Sequence, residues 1–285
     1  MEKRKKVNIT KETLDLYRKY LQDEEKSQAT VEKYVRDVRA FGQFLGNWQA
    51  LDKEQIRAYK EVLKEKYKMT SVNSMLAALN SFFKFLGRED WKVKLYRVQR
   101  AVYSRPEVEM TEADYIKLIE AARKQGDIRM SMLIQTIGST GVRISELKFI
   151  TVESLKAGRA EIYNKGKSRV VLLPEELTKL LQKYCRENGI TGGSIFVTKH
   201  GNPVNRSNVS KKMKQLGKEA GVDTAKIFPH NLRHLFARIF YKIEKDVVRL
   251  MDLLGHSNIN TTRIYTMTTE EQPRRQMSRM RMVLG

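Results

Sequence analysis

The first ninety residues carry apolar side chains at helical spacing. Thr10 is placed to cap a first helix, and a second covers about 28–45. A third helix starts after Asp52, and a fourth, TSVNSMLAALNSFFKFLG, stops at Gly87. The faces opposite the apolar stripes are rich in Lys and Arg. Four amphipathic helices with short connections predict a small helical bundle.

The hydrophobic pattern changes in the stretch WKVKLYRVQRAVYSRPEVEM, which has no sustained helical spacing, so we place a linker over 99–108. Helices are predicted from Thr111, which can cap EADYIKLIEAAR, and over RMSMLIQTIG. The runs AEIY and RVVLL, joined by NKGKS, predict a β-hairpin, and SIFVT predicts a further short strand. The sequence therefore predicts a mainly α protein whose second domain contains a small antiparallel β-sheet.

The charge balance narrows the class of partner. The chain has 55 Lys and Arg against 33 Asp and Glu, a net charge of +22. Residues 1–107 hold 24 basic and 15 acidic residues and so carry +9, which leaves +13 for the remainder. Such an excess is costly self-repulsion unless the partner is a polyanion, and each neutralised phosphate releases a counterion. An excess spread over both halves predicts nucleic acid gripped by two surfaces.

The composition argues against several other classes. The single cysteine, Cys185, lies on a helical apolar stripe, which predicts a core residue and excludes an internal disulfide or a multi-cysteine zinc site. No apolar run approaches the ~20 residues of a membrane span. The opening MEKRKKV has no secretory apolar core. We expect a cytoplasmic protein that uses no membrane, cofactor or metal ion.

Two segments carry basic residues whose role is ambiguous when each is taken alone. In TGVRISEL, a tight turn leads into a predicted helix on which Arg143 precedes Glu146 by three residues. That spacing fits an ordinary ion pair on a surface helix. The hairpin turn NKGKS contains Lys165. Hairpin lysines are usually solvated, yet a flexible turn can also carry an ammonium group into a groove.

The segment FPHNLRHLFARIFYK predicts a helix that begins at a proline. His230 and Arg233 lie one turn apart near its start and outside its apolar stripe, so the core is complete without them. The free N–H groups of a helix N-terminus favour an anion, and Arg adds a planar fork of donors. His234 points elsewhere and is interpreted as a surface or structural histidine.

The segment LLGHSNINTTRIYT raises a geometric question, because His256 precedes Tyr265 by nine residues. A continuous helix would separate the two by ~13.5 Å and turn them to opposite faces. The turn-forming GHSNIN allows them to converge, with Asn260 or Thr261 as the cap of a new short helix. Tyr265 could then be one more packed tyrosine or a nucleophile.

Taken together, these residue types suit phosphodiester chemistry. A tyrosine hydroxyl with a pKa near 10 is about 0.1% ionised at neutral pH and needs help to attack. A five-coordinate phosphorus concentrates negative charge on its non-bridging oxygens, which two arginines and two histidines can stabilise. The departing 5′-oxygen needs a proton, which a lysine can give. The sequence shows no cluster of carboxylates that would indicate the alternative mechanism, in which two metal ions activate the phosphodiester.

In this order and spacing, TGVRISEL, NKGKS, HNLRH, LLGH and IYT resemble the tyrosine recombinase family, the phage-type integrases and Xer recombinases. The resemblance covers roughly residues 10–275. It implies a site-specific DNA recombinase that cuts and rejoins strands through a 3′-phosphotyrosyl intermediate and a Holliday junction. The six catalytic residues that it implies are Arg143, Lys165, His230, Arg233, His256 and Tyr265.

The resemblance also implies how the scissile phosphate is held and how the leaving group departs. Arg143 and Arg233 are expected to bind the phosphate. Glu146 matches an acidic position that supports the first of these arginines. Lys165 is expected to act as the general acid that protonates the departing 5′-oxygen.

The remaining roles concern attack on the phosphorus atom. The resemblance implies that Tyr265 is the nucleophile and that His230 assists proton transfer. His256 occupies a position that is His or Trp in the family, and it is expected to support the transition state. No cofactor or metal ion enters this scheme, because the phosphotyrosine linkage conserves the energy of the phosphodiester.

At the level of domains, the resemblance implies a core-binding, SAM-like domain over 1–98 and a catalytic domain over 109–285. The two would form a C-shaped clamp around double-stranded DNA recombination sites, on the nucleoid. A homodimer on each site and a homotetramer in the synaptic complex are expected. The tail about 273–285 would be an exchange helix with an apolar face of Met277, Met280 and Leu284. This face could pack on its own protomer, but the resemblance favours docking on a neighbouring one.

Two other functions compete with recombination. A type IB topoisomerase uses a similar tyrosine but relaxes any supercoiled DNA as a monomer. A non-catalytic DNA-binding regulator would retain the fold, but it would have lost a catalytic arginine or the tyrosine, and neither is missing here. Among recombinases, the sequence leaves integration, excision, resolution and inversion open.

Overall fold

The structure is a computed structural model, and it describes residues 10–46, 52–98, 109–164, 167–198, 200–265, 274 and 277–280. The chain divides into two compact units, residues 1–100 and 101–285. None of the helices within the described ranges is long and apolar enough to cross a membrane. The α-helices of the first unit are α1 (Lys11–Asp23), α2 (Gln28–Phe44), α3 (Lys53–Lys66) and α4 (Met69–Phe85).

Helices of the first unit begin at capping residues, as the sequence predicts. The Thr10 hydroxyl accepts a hydrogen bond from the backbone N–H of Thr13, and the Thr13 hydroxyl accepts one from the backbone N–H of Thr10. Asp52 and Gln55 make the same reciprocal pair at the start of α3. Each pair satisfies donors that the helix itself leaves free. The four predicted helices are confirmed.

Aromatic rings pack against one another in the core of the first unit, among aliphatic side chains. Tyr17 is fully buried, and its ring meets that of Phe82 edge to face with the centroids 5.0 Å apart. Its hydroxyl donates a hydrogen bond of 3.2 Å to the carbonyl oxygen of Ala78. Phe41 and Tyr59 form a second ring pair at 4.9 Å. Such pairs add directional contacts to the free energy of apolar burial.

The chain beyond α4 is extended over 92–98, in agreement with its lack of helical spacing. Two asparagines of α4 bind this extended segment through their side-chain amides. Asn80 accepts from and donates to the backbone of Val93, and Asn73 does the same with Tyr96, at 2.8–2.9 Å. The first unit therefore holds its own C-terminal segment against the bundle.

The second unit is mainly helical. Its elements are α5 (Glu112–Lys124), α6 (Ile128–Thr140), α7 (Val152–Ala157), β1 (Arg159–Asn164), β2 (Lys167–Leu172), α8 (Glu175–Glu187), α9 (Arg206–Glu219), α10 (Pro229–Glu244), α11 (Val247–Leu254) and α12 (Ile259–Thr262). The buried α6 packs against α5 and α10. Thr111 caps α5, as predicted, and Cys185 is buried in α8, where burial raises the pKa of its thiol.

Strands β1 and β2 form the predicted antiparallel hairpin, with Ala160 opposite Val171. The further strand predicted for SIFVT is wrong: within the described residues this segment makes single bridges only. Ile195 and Phe196 are consecutive in this segment, and both are fully buried. The segment therefore lacks the alternation of buried and exposed side chains that a half-buried strand shows. The predicted exchange helix over 273–285 lies largely outside the described residues, although Met277 and Met280 are described and exposed.

Candidate active site

The buried guanidinium of Arg233 is the centre of the site. Arg233 lies in the second turn of α10, which begins at Pro229, and it is 1% exposed. Its Nη1 donates to the carbonyl oxygen of Gly141 at 2.5 Å, and its Nη2 donates to that of Leu254 at 2.6 Å. These carbonyls end α6 and α11, where helices carry partial negative charge. Two helix C-termini thus hold the arginine in place.

Gly141 is needed where it is for two reasons. Its φ of +65° lies in the left-handed region, which favours glycine. A Cβ atom built there would lie 2.5 Å from a ring carbon of Phe236. The glycine therefore ends α6 and brings its own carbonyl oxygen within reach of Arg233.

His256 contacts Arg233 directly. Its Nε2 lies 2.9 Å from Nη2 of Arg233, and its Nδ1 lies 2.9 Å from the hydroxyl of Thr262. Because an arginine can only donate, Nε2 must accept, and the ring proton is on Nδ1. Burial and the charges of Arg233 and Arg143 lower the pKa of His256 to about 4. His256 is therefore neutral at physiological pH.

Tyr265 converges on His256, as the turn-forming sequence between them predicts. The ring centroids of the two residues are 6.2 Å apart. The predicted cap is wrong, because Asn258 rather than Asn260 or Thr261 caps α12, and a single 3₁₀ turn over Arg263–Tyr265 follows. The helix starts earlier because the Asn258 side chain accepts from the backbone N–H of Asn260.

The phenol of Tyr265 is 4% exposed and packs among the buried Ala237, Leu250 and Leu254. Arg233 lies close enough to act on the pKa of this phenol. Burial raises the pKa of the phenol, and the nearby positive charges of Arg233 and Arg143 oppose this rise without cancelling it. The phenol is therefore protonated in the DNA-free protein.

Arg143 and Glu146 form the expected ion pair. The predicted helix that carries both residues is replaced by a 3₁₀ helix that begins after Arg143. Arg143 has extended backbone and caps a 3₁₀ helix over Ile144–Phe149. Glu146, 1% exposed, accepts from both the backbone N–H and Nη1 of Arg143, each at 2.9 Å. The prediction of a surface helix fails because the carboxylate turns inward and binds the backbone before Ile144.

Glu146 also binds Arg169 on β2, a residue to which the sequence motifs assign no role. Nη2 of Arg169 donates to Oε2 of Glu146 at 2.6 Å. Burial alone would raise the pKa of Glu146, but the hydrogen bond from the Arg143 backbone and the charges of both arginines outweigh burial and lower it. Glu146 is therefore a buried carboxylate between two guanidinium groups.

A small cleft of about 170 Å³ opens beside Arg233. His230 lines it, and partial desolvation together with the charges of Arg233 and Arg143 lowers the pKa of this histidine. Arg206, in the first turn of α9, is a further cation at this cleft that sequence reasoning missed. The lining residues are Val142, Arg143, Ile144, Ser145, Arg206, Pro229, His230 and Arg233.

Of the two alternatives that the sequence leaves for His234, a surface or a structural histidine, the structure favours the structural one. Its ring lies perpendicular to that of Tyr265, with the centroids 4.9 Å apart, and 4.6 Å from that of His230. Burial and the neighbouring His230 lower its pKa to about 4, so the ring is neutral. The contact depends on the path of the chain after α11, which helical periodicity cannot reveal.

The structure therefore brings together Arg143, Glu146, His230, Arg233, His256 and Tyr265, whereas Lys165 lies outside the described residues. In the described part of this cluster, Arg143 and Arg169 bind the carboxylate of Glu146 and Arg233 has no carboxylate partner, so the cluster has an excess of positive charge. Within the described ranges, no group of three or more His, Cys, Asp or Glu residues could hold a metal ion. The cluster is suited to an anion such as a phosphodiester.

Family models match both units of the chain. The model of the phage integrase family matches residues 109–272, and that of the phage integrase N-terminal SAM-like domain matches residues 14–90. The chain is 27% identical over 268 residues to tyrosine recombinase XerA of Pyrococcus furiosus, covering 92% of this chain and 91% of XerA. It is 30% identical over 275 residues to tyrosine recombinase XerC of Halalkalibacterium halodurans, covering 87% and 89%.

Two solved structures share the fold. One is a lambda integrase dimer (residues 75–356) bound to a COC′ core site, with a TM-score of 0.73, 18% identity and coverage of 91% of this chain and 95% of that one. The other is a lambda integrase tetramer bound to a Holliday junction, with a TM-score of 0.72, 19% identity and coverage of 92% and 78%. The chain belongs to the phage integrase family. Within this family it is a tyrosine recombinase, an enzyme of site-specific DNA recombination.

Proposed function

We propose that the cluster around Arg233 cuts and rejoins DNA strands with Tyr265 as the nucleophile. The observation that carries this proposal is that the buried guanidinium of Arg233 contacts His256, whose ring stacks with that of Tyr265, while Arg143 and His230 line the adjoining cleft. Three chain segments far apart in sequence supply these groups, around residues 143, 230–233 and 256–265. Such a gathering of donors is what charge development on a phosphate requires.

In the proposed cleavage step, the hydroxyl oxygen of Tyr265 attacks the scissile phosphorus. A bond forms between phosphorus and the tyrosyl oxygen, and the bond from phosphorus to the 5′-oxygen breaks. Arg143 and Arg233 bind the non-bridging oxygens, on which negative charge accumulates. Arg233 exchanges some of its present carbonyl contacts for phosphate oxygens, since a charged acceptor binds it more strongly.

Two protons move in this step. The phenol is protonated before attack, so its proton leaves as the bond to phosphorus forms, and His230 accepts it. The depressed pKa of His230 keeps it neutral at physiological pH and therefore able to accept. Lys165 donates a proton to the departing 5′-oxygen. In the reverse step, a 5′-hydroxyl from the partner strand attacks the phosphotyrosine and regenerates the phenol.

The proposed partner is double-stranded DNA that carries recombination sites. Solved structures of lambda integrase contain a dimer on a core site and a tetramer on a Holliday junction, which supports the same stoichiometries for this chain. The exposure of Met277 and Met280 supports docking of the C-terminal segment on a neighbouring protomer. A DNA substrate supports activity on the nucleoid, in the cytoplasm.

The test uses a duplex that the full-length protein selects by binding from a random-sequence pool. A nick placed beside the scissile phosphate releases the cleaved fragment and so traps the covalent complex. We expect the unaltered protein to become attached to this DNA, while Tyr265→Phe binds the duplex equally and forms no adduct. Attachment of Tyr265→Phe at the normal rate would overturn the assignment of the nucleophile.

The same DNA separates recombination from topoisomerase activity. We expect strand exchange between two copies of the selected site and none when one copy is scrambled. Relaxation of supercoiled plasmids regardless of sequence, without exchange between sites, would instead support a type IB topoisomerase. The orientation of two selected sites on one plasmid then shows whether excision or inversion results.

A further inference from the structure

The side chain of Arg169 is enclosed beside the active-site cluster and has two strong partners. Its Nη2 donates to Oε2 of Glu146 at 2.6 Å, and its Nη1 donates to the carbonyl oxygen of Leu253 at 2.7 Å. The side chain is 13% exposed. Because both terminal nitrogens are engaged inside the protein, Arg169 is not placed to bind DNA itself.

Each partner of Arg169 belongs to a segment that carries a residue of the site. Glu146 holds the backbone and the guanidinium of Arg143. Leu253 lies in the last turn of α11, three residues before His256. The guanidinium of Arg169 is therefore a direct link between the segment of Arg143 and the segment of His256.

The loop of His256 also packs against the stem of Arg169. Gly255 has a φ of +60°, and a Cβ atom there would overlap the Cδ atom of Arg169. Gly158, at the end of α7, has a similar φ of +66° but nothing within 4 Å of its Cβ position. Gly255 is therefore required both by its backbone conformation and by the close approach of Arg169.

Charge gives Arg169 a second effect on Arg143. Oε2 of Glu146 accepts from Arg169 and from the Arg143 backbone, while Oε1 accepts from Nη1 of Arg143. Arg169 therefore balances part of the negative charge that would otherwise attract Arg143 alone. Without it, Glu146 would hold Arg143 more tightly and leave less positive charge for a phosphate.

We propose that Arg169 is a positioning residue that fixes Arg143 and His256 relative to each other and leaves Arg143 free to bind the scissile phosphate. This inference rests on the proposed function of those two residues. Residues that orient catalytic groups through a hydrogen bond change rates by about 10- to 100-fold when they are replaced. Arg169 touches neither DNA nor the reacting atoms, so its effect should fall on the rate and leave DNA affinity unchanged.

The first experiment measures single-turnover formation of the covalent complex on the selected, nicked duplex at saturating protein. We expect Arg169→Met to bind this DNA within about threefold of the unaltered protein and to form the covalent complex about 100-fold more slowly. Arg169→Lys, which keeps the charge but loses the planar fork, should recover part of the rate.

A second substrate distinguishes positioning from general structural damage. Replacing one non-bridging oxygen of the scissile phosphate by a methyl group gives a neutral methylphosphonate, which develops less charge and needs Arg143 less. On it, we expect Arg169→Met to be slower than the unaltered protein by less than about tenfold. An equal deficit on both substrates would contradict the inference, because damage to the fold would slow both alike.

A glycine pair tests the contact without removing a charge. Gly255→Ala displaces Arg169, whereas Gly158→Ala imposes the same backbone strain in open space. We expect only Gly255→Ala to cleave slowly and to recover on the methylphosphonate. If both Gly255→Ala and Arg169→Met cleave DNA at the normal rate, the positioning role of Arg169 is overturned, while the proposed function of the site is not. If the unaltered protein forms no covalent complex on the selected duplex, the proposed function and this inference are overturned together.

Discussion

The two units of the molecule bury different kinds of side chain. In the described part of the first unit, the buried residues are apolar or aromatic apart from Asp37. The described part of the second unit buries many more polar groups. They are Ser131, Thr136, Thr140, Glu146, Ser154, Asn231, Arg233 and Thr262. Burying polar groups costs free energy unless each has a partner, so this concentration supports the proposal that the second unit performs the chemistry.

The buried charges of the two units are also balanced differently. Asp37 is paired with the ammonium of Lys33 at 2.5 Å and with Arg36 at 3.3 Å. Arg233 has no carboxylate partner in the described part of the chain and is held by carbonyl oxygens. Burial and neighbouring arginines lower its pKa to about 10, so it is still charged at neutral pH. An arginine held in this way is prepared for an anion that arrives with the substrate.

Among the variants considered, replacing Arg233 should change the rate of DNA cleavage the most, whereas replacing the other buried charge, Asp37, should hardly change that rate. Arg233→Met removes a donor aimed at the developing charge, and we expect covalent-complex formation to fall by about 10³-fold or more. Asp37→Asn should change the cleavage rate of bound DNA by less than about twofold, because Asp37 serves only the bundle. Comparable loss of cleavage in both variants at saturating DNA would remove the distinction between the units.

The next largest effects, on stability and cleavage rate, are expected from alanine substitutions at two glycines of similar φ, one in a packed position and one in open space. Gly141→Ala meets the ring of Phe236 and displaces the carbonyl that holds Arg233, so we expect a loss of about 3 kcal/mol in stability and slower cleavage. Gly126→Ala has a similar φ of +70° with nothing within 4 Å, and should cost about 1 kcal/mol without slowing cleavage. Equal losses in both would show that strain alone matters at Gly141.

The chain contains a separate probe for the unfolding of each unit. Both tryptophans, Trp48 and Trp91, lie in the first unit, so their fluorescence reports on it alone. The single cysteine, Cys185, is buried in the second unit, so its reaction with a dithiodipyridine reports on that unit. These two readouts suit the glycine variants and the effect of pH.

Acid should destabilise the second unit more than the first. All four histidines lie in the second unit, and the pKa values of His234 and His256 are lowered to about 4. In the unfolded chain they titrate near 6.5, so the unfolded state binds more protons between these values and the stability they contribute falls from about pH 6.5 towards pH 4. From pH 7.5 to 5, we expect the unfolding midpoint to fall further by the cysteine probe than by tryptophan fluorescence.

A variant provides the control for this titration. His234→Asn removes one buried titrating ring, so the pH dependence of the cysteine midpoint should become smaller while that of the tryptophan midpoint is unchanged. Parallel shifts of both midpoints in the unaltered protein would mean that the buried histidines do not govern the acid response.

An exposed ion pair of the first unit should give the smallest effect. Arg18 and Glu32 are 2.6 Å apart, but their side chains are 32% and 53% exposed. Glu32→Gln should change the stability of the bundle by less than about 0.5 kcal/mol, and less still in high salt. A loss above about 2 kcal/mol, measured by tryptophan fluorescence in denaturant, would show that surface charge contributes far more to the bundle than its aromatic core suggests.

The sequence predicts local features of this molecule well and distant contacts poorly. Caps such as Thr10 and the apolar stripes of the helices depend on neighbours within a few residues. The convergence of His256 and Tyr265 follows from turn-forming residues between them. By contrast, Arg169 binds Leu253 across 84 positions of sequence, and no periodicity contains that information.

The errors at the site have one physical origin. Arg143 was expected on a surface helix, and the position of His234, on the surface or in a structural role, was left open, because spacing alone describes one element at a time. In the structure, the inward turn of Glu146 and the return of the chain to Tyr265 give these residues partners from other elements. Tertiary packing therefore decides the orientation of side chains that the sequence already identifies as chemically suited.

The most direct test of the account is to locate the covalent attachment to DNA. After trapping on the nicked duplex and digestion with nuclease and trypsin, the adduct can be identified by tandem mass spectrometry. The account predicts a nucleotide on the peptide 264–274, whose one tyrosine among the twelve of the chain is Tyr265. Attachment to any other tyrosine, or to a serine, would contradict it.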